Sequence, residues 1–327
     1  VGRHRGGDPH HRLKRSLILS AALAAVVVLA IGLYADFGDL GEALAAFRWE
    51  WFPLALALTS LNYLLRFWRW QRYLGHLGIE VPVGRSLSIF VAGLTMTISP
   101  AKLGEVLKSG LLRRAFDVPV MRSAPIVLVE RITDALGLVL LASLSGLWVG
   151  SAAYWPLALV VLAGVAAVVV LLRGPFLARF VRLAVAREAA LGLLSSRLLL
   201  GMSLLAALSW FFEGLAAYVC VRGLGLDVSL ATTTFVFCVA SLAGALSFLP
   251  GGVGVAETSM TALFRVLSEV PRAGAAAATV LIRAATLWYA VAVGLAALGV
   301  EDWLSRRRLL AGDSNAMGND QRRATRA

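Results

Sequence analysis

Long apolar runs, each ended by a short polar or glycine- and proline-bearing stretch, recur along the chain, near 16–35, 51–71, 84–101, 124–149, 152–172, 199–221, 228–250 and 273–299. A bilayer hydrocarbon core about 30 Å thick takes about 20 predominantly apolar helical residues to cross. The pattern therefore predicts an all-α polytopic membrane protein with about 6–8 hydrophobic segments. The first run follows a basic stretch but is long and lacks an A-x-A-like end, so it is expected to be a retained span and not a cleaved signal. This divides the chain into a basic tail at 1–15, a membrane domain at 16–299 and a polar, basic tail at 300–327.

Lys and Arg in short loops mark the cytoplasmic side of a membrane protein. The basic regions are the N-terminus, 66–85 (Arg66, Arg69, Arg72, Arg85), 102–122 (Lys102, Lys108, Arg113, Arg114, Arg122) and 173–197. Eight full crossings would put two of these regions outside. All fall inside if 84–101 turns back at Ser99-Pro100, and 228–250 turns back at Pro250-Gly251-Gly252, as re-entrant hairpins. Both termini are then cytoplasmic, and the expected location is the plasma (inner) membrane.

Sliding the chain on itself by about 150 residues aligns two halves, about 50–150 and 199–299. Arg66 meets Glu213, and GIEV at 78–81 meets GLDV at 225–228. PAKLGE from Pro100 meets PGGVGVAE from Pro250: a proline, a glycine four residues on, then a glutamate. Glu105 to Arg131 and Glu257 to Arg283 are both 26 residues. With the hairpins in place the halves enter the membrane from opposite sides. Such inverted repeats with broken segments are the architecture of many transporters, where irregular backbone near the midplane holds polar groups.

Composition narrows the function further. Of 327 residues, 59% are hydrophobic and 15% charged, which excludes an ordinary soluble enzyme. The net charge of +12 lies largely in tails and loops, suited to anionic headgroups and orientation, so no nucleic-acid partner is expected. Cys220 and Cys238 are too few for a disulfide framework, and no Cys/His set has metal-ligand spacing; no metal or cofactor is expected. No phosphate-binding nucleotide loop, nucleophile elbow or paired-carboxylate pattern occurs, so the chain is not expected to be an enzyme.

Charges deep in apolar helices are costly and need partners or water. In VERITDALGL, Glu130, Arg131 and Asp134 cluster at helical spacing; Arg283 and Glu213 sit deep in their runs. They either line a polar cavity, with Arg131 and Arg283 meeting an anion, or form structural ion pairs between the halves. The breaks carry Lys102, Gly104, Glu105 and Lys108 in one half and Gly251, Gly252, Gly254 and Glu257 in the other, with Pro100 and Pro250 as hinges. Glycines there permit close backbone approach, and a new helix N-terminus offers N–H donors to phosphate. Lys102 and Lys108 are two of only three lysines, and a compact ammonium suits a point contact to phosphate. NYLLRFWRW places Asn62, Arg66 and Arg69 on one face, either as headgroup ligands or as interfacial arginines snorkelling beside aromatics.

The ordered set NYLLRFWRW, SPAKLGEVLKSGLLRR, VERITDALGL and LSFLPGGVGVAET, followed by Arg283, resembles the flippase-like family typified by the membrane region of lysylphosphatidylglycerol synthases. The resemblance spans about 50–299 and implies that Pro100, Gly104, Glu105, Lys108, Glu130, Arg131, Asp134, Gly251, Gly252, Gly254, Glu257 and Arg283 form the core. In large members this region is thought to move an aminoacylated lipid that a soluble C-terminal domain makes. Here a short polar tail follows the last run, so translocation and not aminoacylation is expected. Related regions are also fused to polyprenyl-phosphate glycosyltransferases, so the resemblance leaves the lipid open: an (aminoacyl-)phosphatidylglycerol or a polyprenyl-phosphate-linked lipid. The alternative is a non-transporting scaffold for a separate cytosolic or membrane transferase; an enzyme using Glu105 or Glu257 as base ranks last.

Overall fold

The computed structural model describes residues 35–99, 103–150, 154–174 and 183–299, with positions 29, 33 and 180 beside them. The tail 1–15, almost all of the first predicted span, Pro100, Lys102 and the tail 300–327 lie outside the described residues. Helix α1 is Phe37–Ala45, its N-terminus capped by the Asp36 carboxylate, which accepts from Gly38 N. Helix α2 (Phe52–His76) starts on Pro53, a residue suited to a first turn because its missing N–H would have no partner there. Helix α3 (Val83–Gly93) tightens into a 3₁₀ stretch, Leu94–Ile98; a 3₁₀ turn, Leu103–Val106, then opens α4 (Leu107–Phe116). Helices α5 (Val120–Val149), α6 (Trp155–Arg173), α7 (Ala184–Leu193) and α8 (Ser196–Gly223) follow. After them come α9 (Leu230–Leu246), α10 (Val255–Ser268) and α11 (Arg272–Gly299), the last interrupted by a π turn at Ala284–Trp288.

Helices α5, α6, α8 and α11 are long and apolar enough to cross a membrane. At 1.5 Å per residue the 17 residues of α9 reach about 25 Å and the 10 of α4 about 15 Å, short of a full crossing. Each broken segment instead returns to the face it left. Arg122 Nη2, just inside α5, donates to Leu77 O at the end of α2, 2.6 Å away. In the other half, Leu226 after α8 packs where a Cβ on Gly274, in the first turn of α11, would lie 3.2 Å from it. These contacts are what two re-entrant hairpins produce, 83–116 and 230–268.

The repeat is written into the backbone. Helices α2 and α8 end at His76 and Gly223, 147 positions apart, and each is closed by the same turn. Ile79 N bonds Leu74 O and Leu226 N bonds Val221 O, around Gly78 (φ 62°) and Gly225 (φ 73°). Helices α4 and α10 end on left-handed Asp117 (φ 54°) and Glu269 (φ 52°), and α5 and α11 start after Pro119 and Pro271, now 152 positions apart. The second break is therefore five residues longer. Arg48 N, before α2, bonds Gly223 O at the end of α8, while Asn62 Nδ2 reaches Ser209 O at mid-helix, so α2 and α8 run antiparallel. Asn62 and Ser209 are themselves counterparts, 147 apart, as residues beside a two-fold pseudo-axis must be. The halves are inverted copies.

Between α5 and α8 the backbones nearly touch: a Cβ on Gly137 would lie 2.7 Å from Ala207 N. Inside a bilayer, where lipid is as apolar as leucine, such close approach and interhelical hydrogen bonds supply much of the packing energy. Two expectations change. Arg66 and Arg69 are not loop charges and do not snorkel; they lie in α2 at 4% and 0% exposure, facing protein, so they say nothing about sidedness. Arg72 and Arg85, on the other hand, are exposed.

Candidate functional site

A cavity of about 270 Å³ lies between the halves. Arg66 of α2, Arg131 and Asp134 of α5, Glu213 of α8 and Arg283 of α11 face it, together with Gly251 and Gly252 of the second break. Tyr63, Trp210, Thr97, Ser99, Ser241 and Thr286 add polar lining, and Leu242, Leu249 and Leu287 add apolar wall.

Behind the cavity wall of the first half stands a charge network. Glu105 receives Arg131 Nη2 at 3.3 Å, Lys108 Nζ at 3.4 Å and Arg66 Nη2 at 3.5 Å. Asp134 receives Arg69 Nη2 at 2.6 Å and Trp210 Nε1 at 3.2 Å on one oxygen, and Arg131 Nη2 at 3.1 Å on the other. Lys108 Nζ donates to Glu130 at 2.7 Å and sits over the rings of Trp70 (4.6 Å) and Phe90 (5.4 Å). Its stem needs Gly93 of α3, where a Cβ would fall 2.6 Å from Lys108 Cγ. Lys108 is 2% exposed and Glu130 1%, so this pair braces the hairpin and does not line the cavity.

The second half holds one tight circuit. Glu257 accepts from Gly254 N at 2.6 Å through one oxygen and from Arg283 Nε at 2.6 Å through the other. Arg283 Nη2 then donates to Gly251 O at 2.8 Å. One carboxylate thus caps α10 and holds the arginine that holds the break. The loop bends on Gly251 (φ 63°), Gly252 (φ 65°) and Gly254 (φ 94°), conformations that suit glycine. A Cβ on Gly252 would lie 2.9 Å from Gly244 Cα, so here two backbones meet as well. Pro250 precedes this bend; Gly104 lies in the 3₁₀ turn that opens α4.

The two 26-residue spacings are ion pairs in both halves, Glu105 with Arg131 and Glu257 with Arg283. Other contacts obey the same symmetry. Tyr63 Oη donates to Thr286 O, and its counterpart Trp210 donates to Asp134, the counterpart of Thr286. The Tyr63 bond also takes up a carbonyl of the π turn, a distortion that often accompanies functional sites. Sequence reasoning missed Tyr63, Trp210, Thr97 and Thr286. Tyr63 and Trp210 were signalled by their 147-residue offset; nothing in the sequence marks the π turn or the turning of Thr97 inward.

Among the described residues the named charges balance: Arg66, Arg69, Lys108, Arg131 and Arg283 against Glu105, Glu130, Asp134, Glu213 and Glu257. Hydrogen bonds are not complete, however. Arg66 Nε, Arg131 Nε and Thr97 Oγ1, all on residues that line the cavity, are buried without a hydrogen-bond partner among the described residues. Buried donors left in this way call for a ligand or water.

Two relatives are UPF0104 membrane proteins of Methanothermobacter thermautotrophicus (strain ATCC 29096 / DSM 1053 / JCM 10044 / NBRC 100330 / Delta H), 36% and 34% identical over 91 residues. Each match covers 28% of this chain and 27% of the relative, so the chain spans about a quarter of the length of these curated proteins. The sequence pattern of the lysylphosphatidylglycerol synthase TM region matches residues 17–294, which includes the first half, nearly all of the second, both breaks and all the named charges of the cavity. The chain therefore belongs to the lysylphosphatidylglycerol synthase TM region family and is a multi-pass membrane protein.

Proposed function

We propose that the protein is a lipid translocase in which a phosphate-bearing headgroup passes through the cavity between the inverted halves while its hydrocarbon tails stay in the bilayer. The observation that carries this reading is that three arginines from three different helices, Arg66, Arg131 and Arg283, line one cavity between the halves. Guanidinium groups match phosphate oxygens in geometry as well as charge. A volume of about 270 Å³ lies near the lower end of small-molecule sites, suited to a headgroup and not to a whole lipid. Because the charges named among the described residues balance, an incoming anion adds a negative charge to a low-dielectric space. A co-bound cation or proton would offset it, so a proton gradient is the drive to test first.

Arg131→Gln is the informative variant. Arg131 is the more accessible arginine of its network, and without it Glu105 keeps Lys108 and Arg66 while Asp134 keeps Arg69 and Trp210. No carboxylate is stranded, so folding should survive. In proteoliposomes with fluorescent phosphatidylglycerol, aminoacyl-phosphatidylglycerol and polyprenyl-phosphate lipids, the wild type should move at least one, and the folded variant should lose that movement. Equal transport by the variant, or no transport of any lipid with a proton gradient imposed, would reject the proposal, the latter in favour of a scaffold.

A further inference from the structure

The tips of the two hairpins differ. Aligned on Pro100 and Pro250, Ile98 is the counterpart of Phe248, and Ser99 of Leu249. Ile98 is 2% exposed and packs with Val253, Leu287 and Val291. Nearby, α11 carries Gly294, where a Cβ would lie 2.5 Å from Thr95 N, so helix and tip meet backbone to backbone. The matching stretch of α5, Leu141-Ala142, has no glycine. The second tip is uncovered: Phe248 is 68% exposed, and Ala245, Leu246 and Leu249 are exposed with it.

The uncovered tip stands between the central cavity and the bilayer. Ala245 and Leu249 line the cavity, while Leu246 and Phe248 do not, so the exposure of these two is to the outside. At 1.5 Å per residue the 17 residues of α9 carry the tip about 25 Å from the start of the helix, within a hydrocarbon core about 30 Å thick. Irregular backbone at that depth needs its polar groups satisfied internally. The tip does this within itself: Ser247 N bonds Ala243 O, Phe248 N bonds Ala245 O and Leu249 N bonds Ser247 Oγ at 3.2 Å, and Pro250, which follows, has no N–H to satisfy. Phe248 also holds a left-handed φ of 55°, where Ile98 does not, and strain of this kind clusters at ligand clamps and switch regions.

We infer that the tip at 245–249 is the lateral portal of the central cavity and the binding site for the hydrocarbon chain of a phosphate-bearing lipid, a role that rests on the headgroup reading proposed above. A cavity of about 270 Å³ takes a headgroup and leaves its tails outside, so the chain has to cross the wall where that wall is apolar on both sides. Leu249 meets this need, lining the cavity beside Arg131 and Arg283 and reaching the exposed surface, and Leu246 and Phe248 extend the apolar path into hydrocarbon. The first tip, packed against α11, offers no such path, so the portal belongs to one half of the repeat.

The test places the photoreactive residue p-benzoylphenylalanine at Phe248 and, in a second protein, at Leu204, which is exposed on α8 and does not line the cavity. Each full chain is put in nanodiscs of phosphatidylcholine with equal minor amounts of phosphatidylglycerol, aminoacyl-phosphatidylglycerol and polyprenyl phosphate, irradiated, and its captured lipids are identified by mass spectrometry. Position 204 should capture lipids in their bulk ratio. Position 248 should favour at least one of the three minor lipids by about tenfold or more over that ratio, the factor that one charge-assisted contact at the headgroup supplies. Arg131→Gln should lower this preference severalfold, because the captured chain belongs to a lipid whose headgroup lies in the cavity. No lipid captured at 248, capture there in the bulk ratio, or a preference undiminished by Arg131→Gln would overturn the inference. Transport by the unsubstituted protein in proteoliposomes reads the translocation proposal separately: transport with bulk-ratio capture at 248 rejects the portal alone, and selective capture without transport rejects translocation while the portal stands as a lipid site.

Discussion

The circuit Gly254 N, Glu257, Arg283, Gly251 O makes a quantitative claim about the second break. Glu257→Ala removes the acceptor of the α10 N-terminus and the partner of Arg283, which keeps only Gly251 O at 2.8 Å. Loss of a cap costs about 1 kcal/mol, and stranding a buried charge costs about 3–5 kcal/mol. Arg283 borders the cavity and its side chain is 13% exposed, so water recovers part of this and a total of about 3 kcal/mol is expected. Arg283→Ala should cost less, about 1–2 kcal/mol, because Glu257 retains the Gly254 N–H. The double variant should be no less stable than Glu257→Ala, giving a coupling of about 1–2 kcal/mol. The assay is equilibrium unfolding of the purified proteins in mixed micelles, with lipid transport measured on whichever variants stay folded. Costs that add within about 0.5 kcal/mol would show that the two side chains act independently and refute the circuit.

Helix packing gives a sharper contrast: Gly137→Ala should destabilise the fold by driving a methyl to 2.7 Å from Ala207 N, whereas Gly201→Ala on α8, with nothing within 4 Å, should be neutral or better by thermal unfolding. Gly93→Ala would put a Cβ 2.6 Å from Lys108 Cγ and should displace that lysine from Glu130. Its loss of stability should shrink when Lys108→Ala, which removes Cγ and Cδ, and Glu130→Gln are already present, and an undiminished loss would show the clash lies elsewhere. Phe248 is 68% exposed with φ 55°, a left-handed conformation that costs a side-chain-bearing residue about 1–2 kcal/mol. Phe248→Gly should therefore leave stability unchanged or raise it, while a loss above about 1 kcal/mol would mean that the ring packs on something.

Much of this architecture was legible before folding, for reasons that particular residues make clear. The runs at 124–149, 152–172, 199–221 and 273–299 became α5, α6, α8 and α11 because their apolar content leaves little alternative in a bilayer. The paired breaks were legible because proline and glycine act locally, through φ and the missing N–H, and the 26-residue spacings because ion pairing survives duplication. Misread were residues whose meaning depends on a partner far along the chain. Of the two readings of Arg66 and Arg69, headgroup ligand or interfacial arginine, the interfacial one falls once α5 brings Asp134, and the 3₁₀ turn before α4 brings Glu105, against them. Lys108 looks like a phosphate ligand until Glu130, 22 residues on, takes its ammonium.

Hydropathy, helix breakers and the repeated order of charges are properties of neighbours in sequence, so the sequence alone determined a helical, duplicated membrane protein with two broken segments. Which charges meet, which donors are left facing a cavity, and which hairpin tip stays exposed depend on packing across about 150 residues of separation. Ile98 against Phe248 is a difference of one apolar side chain in the sequence. Only when α11 packs on the first tip and leaves the second exposed does it become the difference between a buried contact and an open one.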